Sequence, residues 1–296
     1  MSCTSARACV TLGYYLDATG RPRPLAEAWD GTRWQIRPVP SPAGADGTYL
    51  DAVSCTSPRA CTATGFYNIP SGRGVALAER WNGRTWRIQR THALPSSQVS
   101  LGGVSCSSAR ACVAVGASLD AANRTRPLAE AWNGARWAIQ PLPVNAGASD
   151  SGLSAVSCTS PRACTATGTL GERTLAYRWD GRTWTVQATP TPARFAAGSG
   201  SSVSLDGVSC VSATACIAIG DYALDGQPAA FAEAWNGARW SLQATAAPAG
   251  AVASTLAAVS CNPRRCSAVG HDTAFSGAEV TLAVTSPLRP AGRVVG

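Results

Sequence analysis

The chain has 296 residues, of which 45% are hydrophobic and 14% are charged, and it contains no apolar run of the ~18 residues that a membrane-spanning helix requires. This composition is typical of a globular protein that buries a large core. The formal net charge of +8 comes from arginine alone, and the arginines are spread along the chain without a basic block. The charge pattern therefore argues against nucleic-acid binding, and the apolar pattern argues against membrane insertion.

One unit is repeated six times along the chain. It reads L-x-x-V-S-C-x5-C-x-A-x-G, followed by a variable stretch and then by L-A-E-x-W-[N/D]-G-x-x-W-x-[I/V/L]-Q. The repeats start near residues 1, 50, 101, 153, 205 and 256, which gives a period of about 52 residues. Because such a unit cannot bury its apolar face alone, neighbouring repeats are expected to pack on one another.

Each repeat predicts four short strands, named here A to D. In the second repeat, strand A covers Leu50–Cys55, strand B covers Cys61–Tyr67, strand C covers Ala76–Trp81 and strand D covers Trp86–Gln89. The Asn-Gly pair between strands C and D is a strong hairpin signal. Four antiparallel strands in each of six repeats predict an all-β fold, a six-bladed β-propeller with four-stranded antiparallel blades.

The sixth repeat is incomplete. It has strands A and B and a degenerate strand C at Thr281–Val284, but no strand D and no tryptophan pair. In the second to sixth repeats a valine precedes the Ser-Cys pair, whereas in the first repeat Met1 stands there. This is expected if a GTG valine codon had been taken as a start. We therefore expect residues 1–296 to form a single propeller domain, with the missing strand and an export signal encoded upstream.

All 12 cysteines form six pairs that bracket the turn between strands A and B: Cys3/Cys9, Cys55/Cys61, Cys106/Cys112, Cys158/Cys164, Cys210/Cys216 and Cys261/Cys266. This separation places two sulfurs opposite each other across a hairpin, where disulfide geometry is within reach. Reduced thiols and a metal site are the alternatives, although the chain has only two histidines for a metal. Six disulfides would indicate an oxidising compartment, so we expect an extracellular or cell-surface protein that needs no metal and no cofactor.

The combined motifs V-S-C-T-S-x-x-x-C-T-A-x-G and L-A-E-x-W-N-G-x-x-W resemble the repeats of secreted actinobacterial proteins in the kelch-like or BNR-like β-propeller group. The resemblance covers nearly the whole chain and implies a propeller fold. Gly31–Trp34 also looks like the tail of an Asp-box turn, but its Ser-x-Asp head is replaced by Ala28-Trp29. Asp-box turns are structural even in sialidases, so this similarity implies no catalytic residue.

Residues that recur in most repeats are best explained by the blade itself. We expect the strand-C glutamates to hydrogen-bond a neighbouring turn or arginine, and the tryptophan pairs to pack between blades. The arginines of the A–B turns would form a positive, mostly solvated surface. These recurring residues are Glu27, Glu79, Glu130 and Glu233 in strand C, and Arg7, Arg59, Arg110, Arg162 and Arg265 in the A–B turn.

The connections between strands B and C differ in every repeat and are the best candidates for a binding surface. Aromatic rings beside carboxylates suit recognition of a glycan or a peptide by stacking and hydrogen bonding, although ordinary polar loops would also contain such residues. The candidate ligand-binding residues are Tyr14, Asp17, Tyr67, Asp120, Glu172, Asp221, Tyr222, Asp225, His271 and Asp272.

Two function classes remain open. The first and favoured one is a monomeric binding or interaction module for a glycan or peptide. The second is a glycoside hydrolase or lyase that uses carboxylates from different blades. A retaining hydrolase would need two carboxyl groups roughly 5 Å apart, and an inverting one would need them roughly 6.5–9.5 Å apart. Convergence of the candidate aspartates on one pocket would favour the enzyme, and dispersal would favour the binder. The sequence has no Ser-His-Asp motif or phosphate loop, so it assigns no catalytic residue.

Overall fold

The computed structural model describes residues 1–92, 98–143, 150–192, 202–224, 227–243, 245, 251–274 and 279–286. These residues form 23 β-strands in five four-stranded sheets and one three-stranded sheet, all antiparallel and paired in chain order. The fold is therefore the predicted six-bladed β-propeller, with three strands in the last blade. The chain divides into two compact units, residues 1–142 and residues 143–296, and each unit contains three blades.

The strands of the first unit are β1 (Ser2–Ser5), β2 (Ala8–Leu16), β3 (Pro22–Trp29), β4 (Trp34–Arg37), β5 (Gly47–Ser57), β6 (Ala60–Asn68), β7 (Gly74–Trp81), β8 (Trp86–Gln89), β9 (Val99–Ser108), β10 (Ala111–Leu119), β11 (Thr125–Trp132) and β12 (Trp137–Ile139). Those of the second unit are β13 (Ser151–Ser160), β14 (Ala163–Leu170), β15 (Arg173–Trp179), β16 (Trp184–Gln187), β17 (Gly207–Ser212), β18 (Ala215–Leu224), β19 (Gln227–Trp235), β20 (Trp240–Gln243), β21 (Ala251–Asn262), β22 (Arg265–Ala274) and β23 (Glu279–Ser286). The described residues contain no helix long and apolar enough to cross a membrane.

The six predicted disulfides are present, and each joins directly opposed residues of an A–B hairpin. Cys55 faces Cys61 in the register of β5 and β6, for example, and the same register holds in the other blades. The bonded pairs are Cys3–Cys9, Cys55–Cys61, Cys106–Cys112, Cys158–Cys164, Cys210–Cys216 and Cys261–Cys266. Each blade is therefore stapled at the same turn, as is typical of proteins from oxidising compartments.

The serine of the repeated Val-Ser-Cys motif links neighbouring blades. Ser54 Oγ accepts a hydrogen bond from the backbone N–H of Cys106 at 2.9 Å, so the first strand of one blade is tied to that of the next. The same bond recurs between Ser2 and Cys55, Ser157 and Cys210, and Ser209 and Cys261. The serine is therefore repeated because its hydroxyl oxygen accepts a hydrogen bond from a backbone N–H of the next blade.

The tryptophan pairs pack within a blade and also against the preceding blade, as predicted. The rings of Trp132 and Trp137 lie 5.8 Å apart, and the guanidinium of Arg80 in the preceding blade lies 5.3 Å from the Trp132 ring. Trp137 Nε1 donates a hydrogen bond to Gln89 Oε1 at 2.9 Å. Arg178, Gln187, Trp235 and Trp240 repeat these two contacts in the second unit.

The recurring arginines of the A–B turns are exposed, as predicted, and their stems also contact the C–D turn of the same blade. The Arg59 stem lies against Gly83 of the C–D turn, where an added Cβ would meet Arg59 Cγ. Gly83 has a φ of 92°, a conformation that favours glycine. Equivalent contacts join Arg7 to Gly31, Arg110 to Gly134 and Arg162 to Gly181.

The strand-C glutamates are buried, but they do not all have the expected partners. Glu79, Glu130 and Glu233 are 0% exposed, and burial raises the pKa of Glu79 and of Glu233 to about 8. Among the described residues, both carboxyl oxygens of Glu79 and of Glu233 lack a hydrogen-bond partner. Glu130 Oε2 accepts from the His92 N–H at 3.1 Å, and its pKa rises to only about 7.

Proline explains this difference between the blades. His92 follows strand D of the second blade by three residues. The same position after strand D of the first and fourth blades, which precede the blades of Glu79 and Glu233, is occupied by Pro40 and Pro190, which have no N–H to donate. In the fourth blade the glutamate position holds Tyr177, whose hydroxyl donates to the carbonyl oxygen of Pro143 at 2.8 Å. A protonated carboxyl group resembles that hydroxyl as a donor, so a neutral glutamate suits this position.

Candidate functional site

Six of the ten candidate residues lie within the second strand of their blade, so for these six the prediction of a B–C loop is wrong, whereas Asp17, Asp120 and Glu172 do lie between strands B and C. Tyr14, Tyr67 and Asp221 lie in β2, β6 and β18, and His271 and Asp272 lie in β22. The reason is that strands B and C continue to pair beyond the repeated motif, for example from Gly13↔Leu25 to Leu16↔Pro22. The variable surface is therefore formed by strand ends as well as by turns.

Asp17 and Asp120 close their own B–C turns in the first unit. Asp17 Oδ1 accepts from the Thr19 hydroxyl and backbone, and Asp17 Oδ2 accepts from Arg23 Nε at 2.7 Å. Asp120 is held in the same way, with Arg126 Nε at 3.0 Å. These hydrogen bonds hold the pKa of both carboxyl groups well below the usual range. Each side chain therefore stabilises a turn, and neither carboxylate is available for catalysis.

Three further candidates have different surroundings. Tyr67 lines a cleft of about 580 Å³ together with Arg73 and His92 in the first unit. Glu172 lines a cleft of about 410 Å³ at the equivalent edge of the fourth blade. Tyr222 is 9% exposed and packs edge-on against a phenylalanine at 5.9 Å, so it belongs to the core. Asp225 lies outside the described residues.

The position that follows the repeated glycine of strand B differs most between blades. An added Cβ at Gly65 would collide with the carbonyl oxygen of Tyr49, because strand A has a β-bulge there. The bulge requires glycine at this position and redirects the neighbouring side chains. We call the position directly after this glycine the post-glycine position. From the first to the sixth blade it is occupied by Tyr14, Phe66, Ala117, Thr169, Asp221 and His271.

In the first unit the post-glycine residues contribute to an aromatic row. The ring of Tyr14 meets the ring of Tyr49 edge-on at 5.1 Å, and Tyr49 stacks on Phe66 at 4.7 Å. Tyr14 is 55% exposed and the adjacent Tyr15 is 51% exposed, which is unusual for large aromatic side chains. In this row of Tyr14, Tyr49 and Phe66, the first ring is exposed and the other two are half-buried.

In the second unit the post-glycine residues form a polar cluster. Asp221 and Asp206 share a hydrogen bond, and burial raises the pKa of both carboxyl groups. Repulsion from Asp206 raises the pKa of Asp221 further, whereas attraction to His271 lowers it. Ser204 Oγ donates to Asp206 Oδ2 at 2.8 Å, and Thr255 Oγ1 lies 2.9 Å from His271 Nδ1. The two carboxyl groups thus compete for one proton.

Sequence reasoning found Asp221, His271 and Tyr14 but missed their partners. Asp206, Tyr49 and Phe66 were not chosen, although Tyr49 and Asp206 lie on either side of the strand-A leucine in their repeats. At the Tyr49 position the other repeats have smaller residues such as Gly152, so comparison of the repeats would have identified this ring. At the Asp206 position the second repeat also has an aspartate, Asp51, so comparison of the repeats alone would not have distinguished Asp206. Among the described residues, no group of three or more His, Cys, Asp or Glu side chains could hold a metal ion.

No protein-family model and no curated protein matches this chain in sequence. Similar solved structures include a polysaccharide lyase of family PL25, an ulvan lyase bound to -[GlcA(1-4)Rha3S]-, at 11% identity and a TM-score of 0.56, covering 90% of this chain and 72% of the lyase. A subtype N11 neuraminidase-like protein of A/flat-faced bat/Peru/033/2010 (H18N11) has 10% identity and a TM-score of 0.50, with 96% and 84% covered.

A third structure, U3-55K, has 12% identity and a TM-score of 0.53, with 89% of this chain and 76% of that chain covered. At these identities the similarity defines the class of fold and carries no function with it. The chain is therefore a β-propeller with six disulfides, and its ligand must be inferred from its own residues.

Proposed function

We propose that the protein is an extracellular binding module that recognises a glycan or a peptide through the residues at and beside the post-glycine position. The observation that carries this proposal is the change in chemistry at one structural position. Exposed or half-buried aromatic rings occupy it in the first two blades, and an acid and a histidine occupy it in the last two. A frame that holds chemically different side chains at equivalent places is typical of binding surfaces.

The scaffold roles of the other carboxylates support a binder over an enzyme. Asp17 and Asp120 are used by their turns, and Glu79, Glu130 and Glu233 are buried inside blades. A ligand would instead contact the tyrosines, whose rings supply large contact area at low entropic cost. The six disulfides support function outside the cell, because such staples persist in oxidising surroundings.

The proposal is tested with glycan and peptide arrays followed by titration calorimetry. Tyr14→Ala should weaken binding of an array ligand by at least about tenfold, because it removes ring surface that the ligand would cover on binding. The control is Ile36→Ala, which removes a 67% exposed apolar side chain from β4, away from the post-glycine position. Equal binding by the wild type and by Tyr14→Ala, His271→Ala and Asp221→Asn would refute the proposed surface.

A carbohydrate-active enzyme is the second candidate, favoured by the Asp206–Asp221 pair. Burial raises the pKa of both carboxyl groups, which favours the protonated form that a general acid requires. However, two hydrogen-bonded carboxyl groups are closer than the roughly 5 Å that a retaining hydrolase requires, so a partner from another blade would be needed. Release of reducing ends from a polysaccharide panel, lost in Asp221→Asn, would establish this function in place of simple binding.

A further inference from the structure

A cleft opens in the second blade because strand D ends before strand C does. The last pair in the register of β7 and β8 involves Gln89, so residues 74–77 of β7 extend past the end of β8. The Thr91 hydroxyl donates to the carbonyl oxygen of Ala76 at 3.2 Å, which holds the chain after β8 beside this edge. The cleft of about 580 Å³ that Tyr67 lines lies at this edge.

The fourth blade has the same frame with different side chains. Thr189 there makes the equivalent bond to a strand-C carbonyl oxygen at 3.1 Å, beside the cleft of about 410 Å³. On either side of this threonine the fourth blade has Ala188 and Pro190, whereas the second blade has Arg90 and His92. The threonine therefore belongs to the scaffold, and the two residues that flank it give the second blade its own chemistry.

The space around this segment is lined by cationic side chains. Arg73, Arg90 and His92 line the cleft of about 580 Å³. A second cleft of about 670 Å³, which the second blade shares with the third, is lined by Arg90, His92 and Arg136. Among the described residues that line these two clefts, none is an aspartate or a glutamate. We call the two together the basic clefts.

The charges of the basic clefts are accessible to a ligand. The side chains of Arg90, His92 and Arg136 are exposed, and no salt bridge among the described residues involves Arg90 or Arg136. Glu130 accepts a hydrogen bond from the His92 backbone, but it is fully buried and its pKa rises to about 7. Glu130 is therefore a weak counter-charge, and the clefts keep their positive character.

We propose that the basic clefts bind the carboxylate or sulfate groups of an acidic oligosaccharide. The inference rests on the proposed binding role, but it assigns this ligand to residues outside the post-glycine position. A guanidinium group presents its N–H donors as a planar fork that matches the oxygens of an oxyanion, and such charge-assisted bonds are about twice as strong as neutral ones. Both clefts have volumes within the range of roughly 300–1,000 Å³ that is typical of small-molecule sites.

The remaining lining favours a sugar over an acidic peptide. Peptides bind sheet edges mainly through main-chain hydrogen bonds. Here β8 is only four residues long, and the Thr91 hydroxyl already occupies the Ala76 carbonyl oxygen. Tyr67 is half-buried and packs on the core of the first unit, so its ring forms a fixed wall for a sugar ring. Side-chain donors and one aromatic wall therefore dominate the site.

The test titrates the full chain with four probes of matched length: oligogalacturonate, which has carboxylates, a dextran sulfate oligosaccharide, the uncharged dextran oligosaccharide and oligoglutamate. Calorimetry at about 0.15 M salt limits long-range attraction, since the screening length is then roughly 8 Å. We expect at least one of the charged sugars to bind, and the better of the two identifies the anionic group. The uncharged sugar and oligoglutamate should each bind at least about tenfold more weakly than that sugar.

Arg90→Ala introduces the residue that the fourth blade has at this position, and it should weaken binding of the charged sugar by at least about tenfold. Arg87→Ala is the charge-matched control, because Arg87 is an exposed arginine of β8 that lines neither cleft. It should leave binding unchanged. Both side chains are exposed, so both variants should keep the thermal midpoint of the wild type. Equal weakening by the two variants would reduce the effect to net charge and overturn the inference.

Further outcomes separate this inference from the proposed function. If a charged sugar requires Tyr14 but is insensitive to Arg90→Ala, the basic clefts are overturned as its site and the proposed function stands. If a charged sugar requires Arg90 and no ligand depends on Tyr14, Asp221 or His271, the basic clefts stand and the post-glycine surface fails. Binding of neither charged sugar, or tighter binding of oligoglutamate than of both, also overturns the inference.

Discussion

Replacing Glu79 by glutamine should change how the stability of the protein depends on pH. Glu79 is fully buried, and its pKa rises from an ordinary value of 4.5 to about 8 because burial disfavours the charged form. The unfolded chain ionises this group above pH 4.5, whereas the folded chain keeps it protonated until about pH 8. Its contribution to stability is thus fully present below pH 4.5 and is lost as the pH rises toward 8.

The size of the effect follows from the shift. One pKa unit corresponds to about 1.4 kcal/mol, so the free energy of unfolding should fall by roughly 3 kcal/mol between pH 4.5 and pH 7 because of Glu79 alone. Glutamine has nearly the shape of the protonated acid and does not ionise. We expect Glu79→Gln to match the wild type within about 1 kcal/mol at pH 5 and to exceed it by a few kcal/mol at pH 8.

Urea unfolding followed by tryptophan fluorescence at four values between pH 5 and pH 8 measures this difference. Glu27→Gln is the matched control, because Glu27 occupies the equivalent position in the first blade but is only half-buried. We expect a smaller change of slope in that variant. Parallel curves of stability against pH for the wild type and Glu79→Gln would refute the conclusion that Glu79 is held neutral by burial.

Three other changes test the scaffold. Trp132→Ala removes a large buried ring and the contact with Arg80, so urea unfolding should show a loss of ~3–5 kcal/mol. Replacing Cys55 and Cys61 together by serine should cost about 2 kcal/mol, measured as a lower urea midpoint, while peptide mapping finds the other five disulfides intact. Asp120→Asn should lower the thermal midpoint at pH 7, and the difference should shrink below about pH 3.8, where the unfolded carboxyl group protonates.

The fold could be predicted from the sequence because the same pattern of strands and turns is repeated six times. Strand D of the second blade was predicted at Trp86–Gln89 and is found there. The repeated cysteines predicted the A–B hairpin, and the Asn-Gly turn predicted the C–D hairpin. The error lay at the other end of the blade, where β5 begins at Gly47 and pairing continues past the motif. Composition varies there, so no repeated pattern marks where the strands end.

The candidate site could be predicted only in part, because its chemistry depends on contacts between side chains from different blades. Asp17 and Asp221 look alike in sequence, as aspartates near the end of strand B. One accepts hydrogen bonds from its own turn, and the other shares a proton with Asp206. The hydrogen bonds of Asp17 to its own turn could in principle be predicted from the sequence, since threonine and arginine follow Asp17 closely. The contact of Asp221 with Asp206 depends on a bulge in strand A that places Asp206 beside β18.

The division between repeated and unrepeated positions explains why one scaffold serves both stability and recognition. Serine recurs because it satisfies a backbone group of the next blade, and glycine recurs because it permits a bulge. Arginine covers a turn, and tryptophan fills the space between blades. These roles leave the post-glycine position free to vary, since none of the repeated contacts uses its side chain. An aromatic residue there in one blade and an aspartate in another therefore change what the surface binds without changing how the blade folds. On this reasoning, exchanging Tyr14 with the aspartate found at Asp221 should move binding preference while leaving the six staples and the interblade hydrogen bonds in place.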